Sequence, residues 1–258
     1  MDPRPIIRAV AALIVWGFLM LVQGLPVFLL GVIYPSRKIV AWAARTWAHS
    51  MLGISGARLT IEGAAGLDDG RPRFFVGNHQ SALDIPIIVA ALGGDVRFMA
   101  KKSLFYIPIF GWVLSRYGFV PVDRTNARKA HGKLEQMIER LRKSPISFAA
   151  FPEGTRSRDG SLQPFRKGTL KICQRSGLPV VPFSIEGTLV VHHRDAFFHA
   201  YPGPVRLKFG KPITAEEIAE MAPGELYDRV RMTVARQLGQ PVELTDPATA
   251  TLVATETS

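Results

Sequence analysis

The sequence has a single cysteine, Cys173, among its 258 residues. One cysteine excludes an intramolecular disulfide and any metal site built from clustered thiolates. Cys173 lies in a predicted helix without a nearby base, so we expect a buried structural thiol rather than a nucleophile. The histidines and the aspartate between His192 and His199 match no familiar ligand spacing. We therefore expect neither thiol chemistry nor a bound metal.

Acidic residues are scarce, with 21 Asp and Glu against 32 Lys and Arg and a formal net charge of +11. Such an excess of positive charge predicts an anionic partner, which could be nucleic acid, a phospholipid surface or an acidic protein. The sequence has no recognisable nucleic-acid-binding module, and its basic residues are dispersed among apolar runs instead of forming a dense arm. We therefore expect no nucleic-acid partner and favour an anionic phospholipid membrane.

Charge is absent altogether from Ala9 to Ser36, where 28 residues include no Asp, Glu, Lys, Arg or His. About 20 apolar residues suffice to cross a bilayer, so this segment is expected to meet lipid. A cleaved signal peptide is disfavoured because the apolar stretch is too long and ends in no small-x-small cleavage site. Gln23, Gly24 and Pro26 interrupt the segment, and basic residues flank both of its ends. A re-entrant hairpin in one leaflet therefore remains an alternative to a single span.

The following stretch has an amphipathic pattern at helical spacing. Its apolar stripe is Val40, Ala43, Trp47 and Met51, and its opposite stripe is Lys38, Arg45 and His49. This pattern is typical of an interfacial helix, and the alternative is a surface helix packed on the domain. The sequence thus predicts a membrane segment with an interfacial helix over residues 1–56, one domain over 57–244 and a mobile tail over 245–258.

Beyond Gly56, short apolar runs alternate with helical stretches, which predicts an α/β domain with a mixed, largely parallel sheet flanked by helices, joined to an N-terminal membrane-embedded helical element. At 258 residues the chain is too short for two full-size domains. The predicted strands are Ala57–Ile61, Arg73–Val76, Val96–Met99, Phe119–Val122, Ile146–Phe151, Val180–Ile185 and Val205–Phe209. The predicted helices are Ile85–Leu92, Ala127–Lys143, Thr169–Ser176 and Glu216–Leu238.

The motif from Asn78 to Asp84 places a histidine and a carboxylate five residues apart. Five residues turn a helix by roughly 140°, so His79 and Asp84 can pair only if a turn separates them. A carboxylate on one imidazole nitrogen fixes the tautomer and stabilises the imidazolium, which makes the other nitrogen a general base near neutral pH. Ser81 lacks the glycines of a nucleophile elbow and is expected to cap the next helix. The pattern predicts that His79 deprotonates a substrate hydroxyl.

A second motif runs from Phe151 to Ser157, directly after a predicted buried strand. Pro152 ends the strand, Gly154 permits close backbone approach, and the Arg156 guanidinium can grip a phosphate in bidentate fashion. Glu153 would repel a phosphate, so it is expected to hold Arg156 or to accept a hydrogen bond from a substrate hydroxyl. The alternative is an ion pair between Glu153 and Arg156 that only fastens the turn. Both motifs follow strands, where ligands bind in open α/β sheets.

These motifs together resemble the conserved blocks of the glycerolipid acyltransferase family, and within it the lysophosphatidate acyltransferases. The resemblance covers roughly Ala57 to Lys211. Its first block is the N-H-x-x-x-x-D motif, with His79 and Asp84 at the two invariant positions. The segments that resemble the second, third and fourth blocks are Gly118–Arg124, Phe151–Ser157 and Val180–Ile185.

The resemblance implies transfer of a fatty acyl group from acyl-CoA or acyl-carrier protein to the free sn-2 hydroxyl of lysophosphatidate. His79 would be the base and Asp84 its partner. The expected substrate-binding residues are Lys101, Arg124, Glu153, Gly154, Thr155 and Arg156. Lys102, Arg166 and Lys167 would add general attraction to anionic lipid or to an acidic carrier protein.

The same resemblance implies no cofactor beyond the acyl-donor substrate. It implies a location at a membrane, the inner membrane of a bacterium, with the catalytic domain on the cytoplasmic side. Two other functions stay open: an acyltransferase for another lysolipid, such as a lyso-ornithine lipid, and a catalytically silent membrane-binding protein of the same fold. The sequence does not indicate an oligomeric state.

Overall fold

A computed structural model describes residues 36–67, 69–93, 96–108, 110–116, 118–122, 138–139, 142, 146–192 and 201–241, with isolated positions 22, 26 and 29. Most of the segment from Ala9 to Ser36, most of the predicted helix Ala127–Lys143 and the whole predicted tail lie outside these residues. Within the described ranges, no helix combines the length and the apolar character needed to cross a bilayer. The predicted membrane segment and the domain division stay predictions.

Strands and helices alternate along most of the described chain. In chain order the elements are α1 (Arg37–Ser55), β1 (Ala57–Glu62), β2 (Phe74–Gly77), α2 (Asp84–Ala91), β3 (Val96–Lys101), a 3₁₀ helix (Lys102–Tyr106), α3 (Phe110–Arg116), β4 (Val120–Val122), β5 (Ser147–Ala150), α4 (Lys167–Ser176), β6 (Val180–Glu186), α5 (Thr188–Val191), β7 (Gly203–Phe209), α6 (Ala215–Glu220) and α7 (Glu225–Leu238). All seven predicted strands are confirmed, to within two residues at each end.

The strands form one sheet in the order β1-β7-β6-β2-β5-β3-β4. Five of the neighbouring pairs are parallel, and only β6 and β7 run antiparallel. The mixed, largely parallel sheet predicted from the sequence is confirmed. Because β2 lies between β5 and β6 and is parallel to both, the carboxyl ends of these three strands meet at one edge of the sheet, which we call the carboxyl edge.

Each face of the sheet packs against helices. On one face Phe74, Val76 and Phe148 pack with residues of α4, α6 and α7. On the other face Phe75, Val181 and Phe183 pack with residues of α1 and α2. Since successive side chains of a strand point to opposite faces, strands covered on both sides read as continuous apolar runs, as β2 and β6 do. The core thereby fixes the strand ends from which the loops of the carboxyl edge emerge.

Helix α1 packs on the domain. Its buried residues Ala48 and Leu52 join the core on the α2 side, with Trp47 partly buried against them. The apolar stripe predicted for a membrane interface therefore serves at least partly as the surface helix considered as the alternative. Trp42 and Ile54 are exposed on the same helix. Contact of α1 with lipid stays a prediction, and among the described side chains of α1 it would depend on these two.

The prediction of a single helix from Glu216 to Leu238 is wrong. Two helices, α6 and α7, occupy this stretch, and they are separated at Met221–Gly224. Pro223 cannot donate a helical hydrogen bond, and Gly224 adopts a left-handed conformation with φ of 99°. Thr214 begins α6 with a capping box that includes Glu217.

Candidate active site

The loops after β2 and β5 meet at the carboxyl edge. The Ser157 N–H donates to the carbonyl oxygen of His79 at 2.8 Å, which ties the two loops together by their backbones. The Phe151 ring stacks on the His79 imidazole with 4.1 Å between ring centroids. The motifs Asn78–Asp84 and Phe151–Ser157, which begin more than 70 residues apart in the chain, therefore build one site, as the sequence predicts.

Within this site His79 and Asp84 are in direct contact. Asp84 Oδ2 lies 2.7 Å from His79 Nδ1 and also accepts the backbone N–H groups of Gln80 and Ser81, at 2.6 and 2.9 Å. The chain turns through residues 80–83 before α2 begins at Asp84, and this turn brings the two side chains together. The pairing predicted from the five-residue spacing is confirmed.

The pair differs in exposure, since the Asp84 side chain is 0 % exposed and the His79 side chain 15 %. With Nδ1 held by the carboxylate, Nε2 is the ring nitrogen that remains for a substrate. Asp84 Oδ2 and the stacked Phe151 ring fix the plane of the imidazole. This geometry suits a general base whose tautomer is set by its buried partner.

Asn78 is a residue of the site whose role the sequence reasoning missed. Its amide nitrogen donates to the Ile185 carbonyl at 2.8 Å, and its amide oxygen accepts the Ile185 N–H at 2.8 Å. This two-way contact extends the pairing of β2 with β6 and anchors the loop that carries His79. Before it, a Cβ at Gly77 would overlap the carbonyl and ring of Phe183, so only glycine fits. Gly77 and Asn78, the two residues before His79, thus fix where the chain leaves β2 and where the histidine loop begins.

Glu153 is buried beside the histidine loop, with 4 % of its surface exposed. Its Oε1 accepts the His79 N–H at 3.4 Å, and its buried Oε2 has no hydrogen-bond partner among the described residues. Burial, aided by the nearby Asp84 carboxylate, raises the pKa of Glu153 from 4.5 to about 8. Glu153 is therefore a neutral acid at pH 7, and it does not repel a phosphate as a carboxylate would.

Glu153→Gln is expected to flatten the pH dependence of stability. Between pH 4.5 and 8 the folded protein keeps the Glu153 proton while the unfolded chain releases it. The free energy of unfolding should therefore fall by about 2–5 kcal/mol as pH rises through this window. Urea unfolding at pH 5, 7 and 9 should show the variant gaining stability relative to the wild type as pH rises. For the exposed Glu220→Gln variant, the free energy of unfolding should change with pH as it does in the wild type. The same pH dependence in all three proteins would contradict the burial argument.

The turn after Phe151 has the backbone that the sequence predicts at Gly154. Gly154 adopts φ of 71°, and a Cβ there would overlap the Arg166 guanidinium. Thr155 is exposed and Arg156 half-buried, immediately before the Ser157 bond to His79. Among the described residues no ion pair joins Glu153 to Arg156, and the donors to the Glu153 side chain are the backbone N–H groups of His79 and Gln163. Both the expectation that Glu153 holds Arg156 and the ion-pair alternative are therefore wrong.

Gln240, just past α7, holds the far side of this turn. Its Oε1 accepts the Leu162 N–H at 2.7 Å, and its Nε2 donates to the Gly160 carbonyl at 3.0 Å. Gln80, next to His79, also donates to that carbonyl, at 3.3 Å. Gln240, 80 positions beyond Gly160 in the chain, therefore supports the turn on which the histidine loop rests, and no local sequence pattern marks it.

The remaining predicted substrate-binding residues lie at or beyond the next strands. Lys101 is exposed at the carboxyl end of β3, paired in register with Val122 of β4. It lies two strands from β2, a lateral distance of about 10 Å at the usual strand spacing. Arg124 follows β4 and lies outside the described residues. Lys101 therefore shares the edge of the site without contacting His79.

Ser81 differs from its predicted role as a helix cap. Leu83 occupies the position just before α2, and no side chain caps the helix there. The Ser81 hydroxyl donates to the His192 carbonyl at 2.8 Å and lies 3.2 Å from His192 Nδ1. It also accepts the Leu83 N–H at 3.3 Å. Ser81 thus joins the histidine loop to the end of α5. Its hydroxyl donates to the His192 carbonyl and is not positioned as a nucleophile.

Comparisons with known proteins agree with this geometry. The family model described as Acyltransferase matches residues 58–186, a range that contains the sheet edge and both motifs. The chain is 34 % identical over 209 residues to the chloroplastic 1-acyl-sn-glycerol-3-phosphate acyltransferase BAT2 of Brassica napus, covering 81 % of this chain and 59 % of that one. It is 36 % identical over 178 residues to LPAT1, the chloroplastic enzyme of the same name from Arabidopsis thaliana, covering 69 % and 49 %. The chain thus spans about half to three fifths of these relatives.

A solved structure is similar over almost its whole length. The crystal structure of the 1-acyl-sn-glycerophosphate acyltransferase PlsC from Thermotoga maritima superposes with a TM-score of 0.76 at 25 % identity, covering 93 % of this chain and 98 % of that one. The matched fold agrees with the sheet and helices described above. Since the family model covers half of the chain and includes His79, Asp84 and the motif Phe151–Ser157, this protein belongs to the Acyltransferase family.

Proposed function

We propose that this protein transfers a fatty acyl group from an acyl thioester to the free sn-2 hydroxyl of lysophosphatidate, which yields phosphatidic acid. The observation that carries the proposal is the His79–Asp84 pair, joined by backbone and ring contacts to the loop of Arg156. The names of the plant relatives and of the Thermotoga maritima enzyme support the same acceptor.

In the proposed mechanism His79 Nε2 takes the proton of the sn-2 hydroxyl while the oxygen attacks the thioester carbonyl carbon. The C–S bond then breaks, and the imidazolium returns the proton to the departing thiolate. Asp84 stabilises the imidazolium through Nδ1. An acyl-enzyme on Ser81 is disfavoured because its hydroxyl is bonded to His192. No cofactor is required, since acyl-CoA or acyl-carrier protein supplies the activated acyl group.

The oxyanion of the tetrahedral intermediate needs donors other than the nearest backbone groups. The N–H groups of Gln80 and Ser81 are bonded to Asp84, and that of His79 is bonded to Glu153. The hydrogen bonds that stabilise the oxyanion must therefore come from donors outside residues 79–81.

The phosphate of the acceptor would be held by Arg156, with Arg124 and Lys101 adding positive charge along the edge. Gly154 and Thr155 shape the turn that presents Arg156, and the buried, neutral Glu153 adds no negative charge that would repel the phosphate. Holding the phosphate here fixes the free hydroxyl near Nε2, and such positioning supplies much of the acceleration.

Arg156→Ala is expected to raise the KM for lysophosphatidate by about 10- to 100-fold, the loss of one charge-assisted contact. Acyl transfer to a lyso-ornithine lipid, which has no phosphate, should change far less. Steady-state kinetics with both acceptors in mixed micelles measure the difference. The control is Arg158→Ala, which removes the same charge from an exposed position two residues away. Equal kinetics for the two variants would contradict a phosphate contact at Arg156.

The rival functions are separated by purifying the detergent-solubilised protein and supplying both acyl donors with lysophosphatidate or lyso-ornithine lipid. Turnover of lysophosphatidate supports the proposal. Turnover of the lyso-ornithine lipid alone would keep the mechanism and replace the acceptor. Absence of turnover with every pair would favour a catalytically silent membrane-binding protein.

We also propose that the protein works at an anionic membrane, held there by the segment from Ala9 to Ser36. In a bacterium this would be the inner membrane, with the catalytic domain on the cytoplasmic side. A lysolipid could then reach the site without being extracted into water. Co-sedimentation with anionic vesicles should be lost when this segment is deleted.

A further inference from the structure

Helix α4 carries a row of positive charge that the proposed mechanism does not use. Lys167, Lys171 and Arg175 recur at four-residue intervals and are all exposed, with exposed Arg166 just before them. We call these four residues the α4 ridge. The opposite side of the helix is buried through Leu170, Ile172, Cys173 and Ser176. The ridge is therefore a continuous cationic strip on one side of a helix whose other side is fixed in the core.

The ridge is not explained by the stability of α4 itself. Like charges four residues apart on a helix repel each other, and α4 contains no acidic residue to offset them. Lys167 also lies in the first turn, where the helix dipole favours negative charge. Only Arg175, in the last turn, has the sign that the dipole favours. An anionic partner would relieve this repulsion.

The ridge starts at the active site. The Arg166 N–H donates to the Pro152 carbonyl at 2.8 Å, and the Arg166 guanidinium fills the space beside Gly154. From there α4 runs back along the sheet, because it connects β5 to β6 and both strands are parallel to β2. Ten residues of helix span about 15 Å. At the far end Arg142 donates to the Arg175 carbonyl at 3.1 Å and adds another exposed cation.

This direction distinguishes between the anionic partners. A membrane surface that supplies lysolipid must face the carboxyl edge, and a plane there would meet the ridge only at Arg166. The phosphates of a single acyl-CoA are too compact to contact a strip of this length. A small acidic protein can lie along the flank of the domain and contact the whole ridge while its acyl thioester reaches the edge.

We propose that the α4 ridge docks the acidic carrier protein that delivers the acyl chain as a thioester. The inference rests on the proposed acyl transfer and specifies the donor for it. Electrostatic pairing along the ridge orients the carrier so that its thioester enters beside Arg166 and Gly154. Acyl-CoA, if it also serves as a donor, does not depend on the ridge beyond Arg166.

The test compares two donors with the same acyl chain, acyl-carrier protein and acyl-CoA, in transfer to lysophosphatidate in mixed micelles. Lys171→Glu should raise the KM for acyl-carrier protein by about tenfold or more, leaving kcat and the KM for acyl-CoA within about twofold. The milder Lys171→Ala should act in the same direction. The control is Arg58→Glu, the reversal of an exposed charge on edge strand β1. Carrier binding, measured by fluorescence anisotropy, should weaken in parallel and lose part of its salt dependence.

The outcomes separate this inference from the proposed function. Wild-type turnover of acyl-CoA combined with no effect of Lys171→Glu on carrier-protein kinetics overturns the docking site and leaves the function intact. Use of acyl-CoA alone overturns it as well. Equal losses with both donors that follow the anionic lipid content of the micelles would make the ridge a lipid contact. Absence of turnover with either donor contradicts the proposed function, and the inference falls with it.

Discussion

Replacing His79 with alanine is expected to lower kcat/KM for acyl transfer by about 10³- to 10⁴-fold, the contribution of a well-positioned general base. The imidazole is the only group in the described site that combines a free ring nitrogen with a buried carboxylate partner. Removing it leaves the hydroxyl without a proton acceptor as it attacks the thioester. Steady-state transfer to lysophosphatidate measures the loss.

Folding should survive this change, which makes the experiment decisive. The His79 side chain is partly exposed, and the loop around it is held by the backbone contacts of Ser157 and by the amide of Asn78. Circular dichroism and vesicle binding should match the wild type. The control His49→Ala removes an exposed histidine from α1 and should leave kcat/KM unchanged. Activity of His79→Ala near the wild-type level would contradict the proposed mechanism.

The strands and the meeting of the two motifs could be predicted because their signals are local. Apolar runs such as Val180–Ile185 mark strands buried on both faces, and Pro152 marks the end of β5. Parallel strands bring their carboxyl ends to one edge, so residues following β2 and β5 were expected to converge. The five-residue spacing of His79 and Asp84 also required a turn, which the structure has.

The supports of the site could not be predicted, because they join residues distant in the chain. Asn78 bonds to Ile185 and Gln240 bonds to the loop after Ser157, and neither contact leaves a periodic pattern. The protonation of Glu153 depends on burial, which follows from packing and not from the motif. The break between α6 and α7 is different, because Pro223 and Gly224 are strong helix breakers. This local signal could have predicted two helices instead of one.

Asp84→Asn is the other change expected to have a very large effect, a fall in kcat of about 10²- to 10⁴-fold with little change in the KM for lysophosphatidate. The amide oxygen can replace Oδ2 as acceptor of the Gln80 and Ser81 N–H groups, so the loop should keep its shape. The amide nitrogen would take the place of Oδ1, which has no hydrogen-bond partner among the described residues. What is lost is the negative charge that stabilises the imidazolium as His79 accepts the proton.

A matched substitution separates this catalytic loss from a loss of stability. Asp69→Asn weakens the carboxylate that holds buried Arg73 through two contacts of 2.8 Å, before β2 begins at the other end of the sheet. That variant should unfold at lower urea concentration than the wild type and retain its kcat. Asp84→Asn should lose far more kcat than stability, because its charge acts on a proton transfer and its backbone contacts persist. If both variants lose kcat only in proportion to their stability, Asp84 supports the fold and the base acts without it.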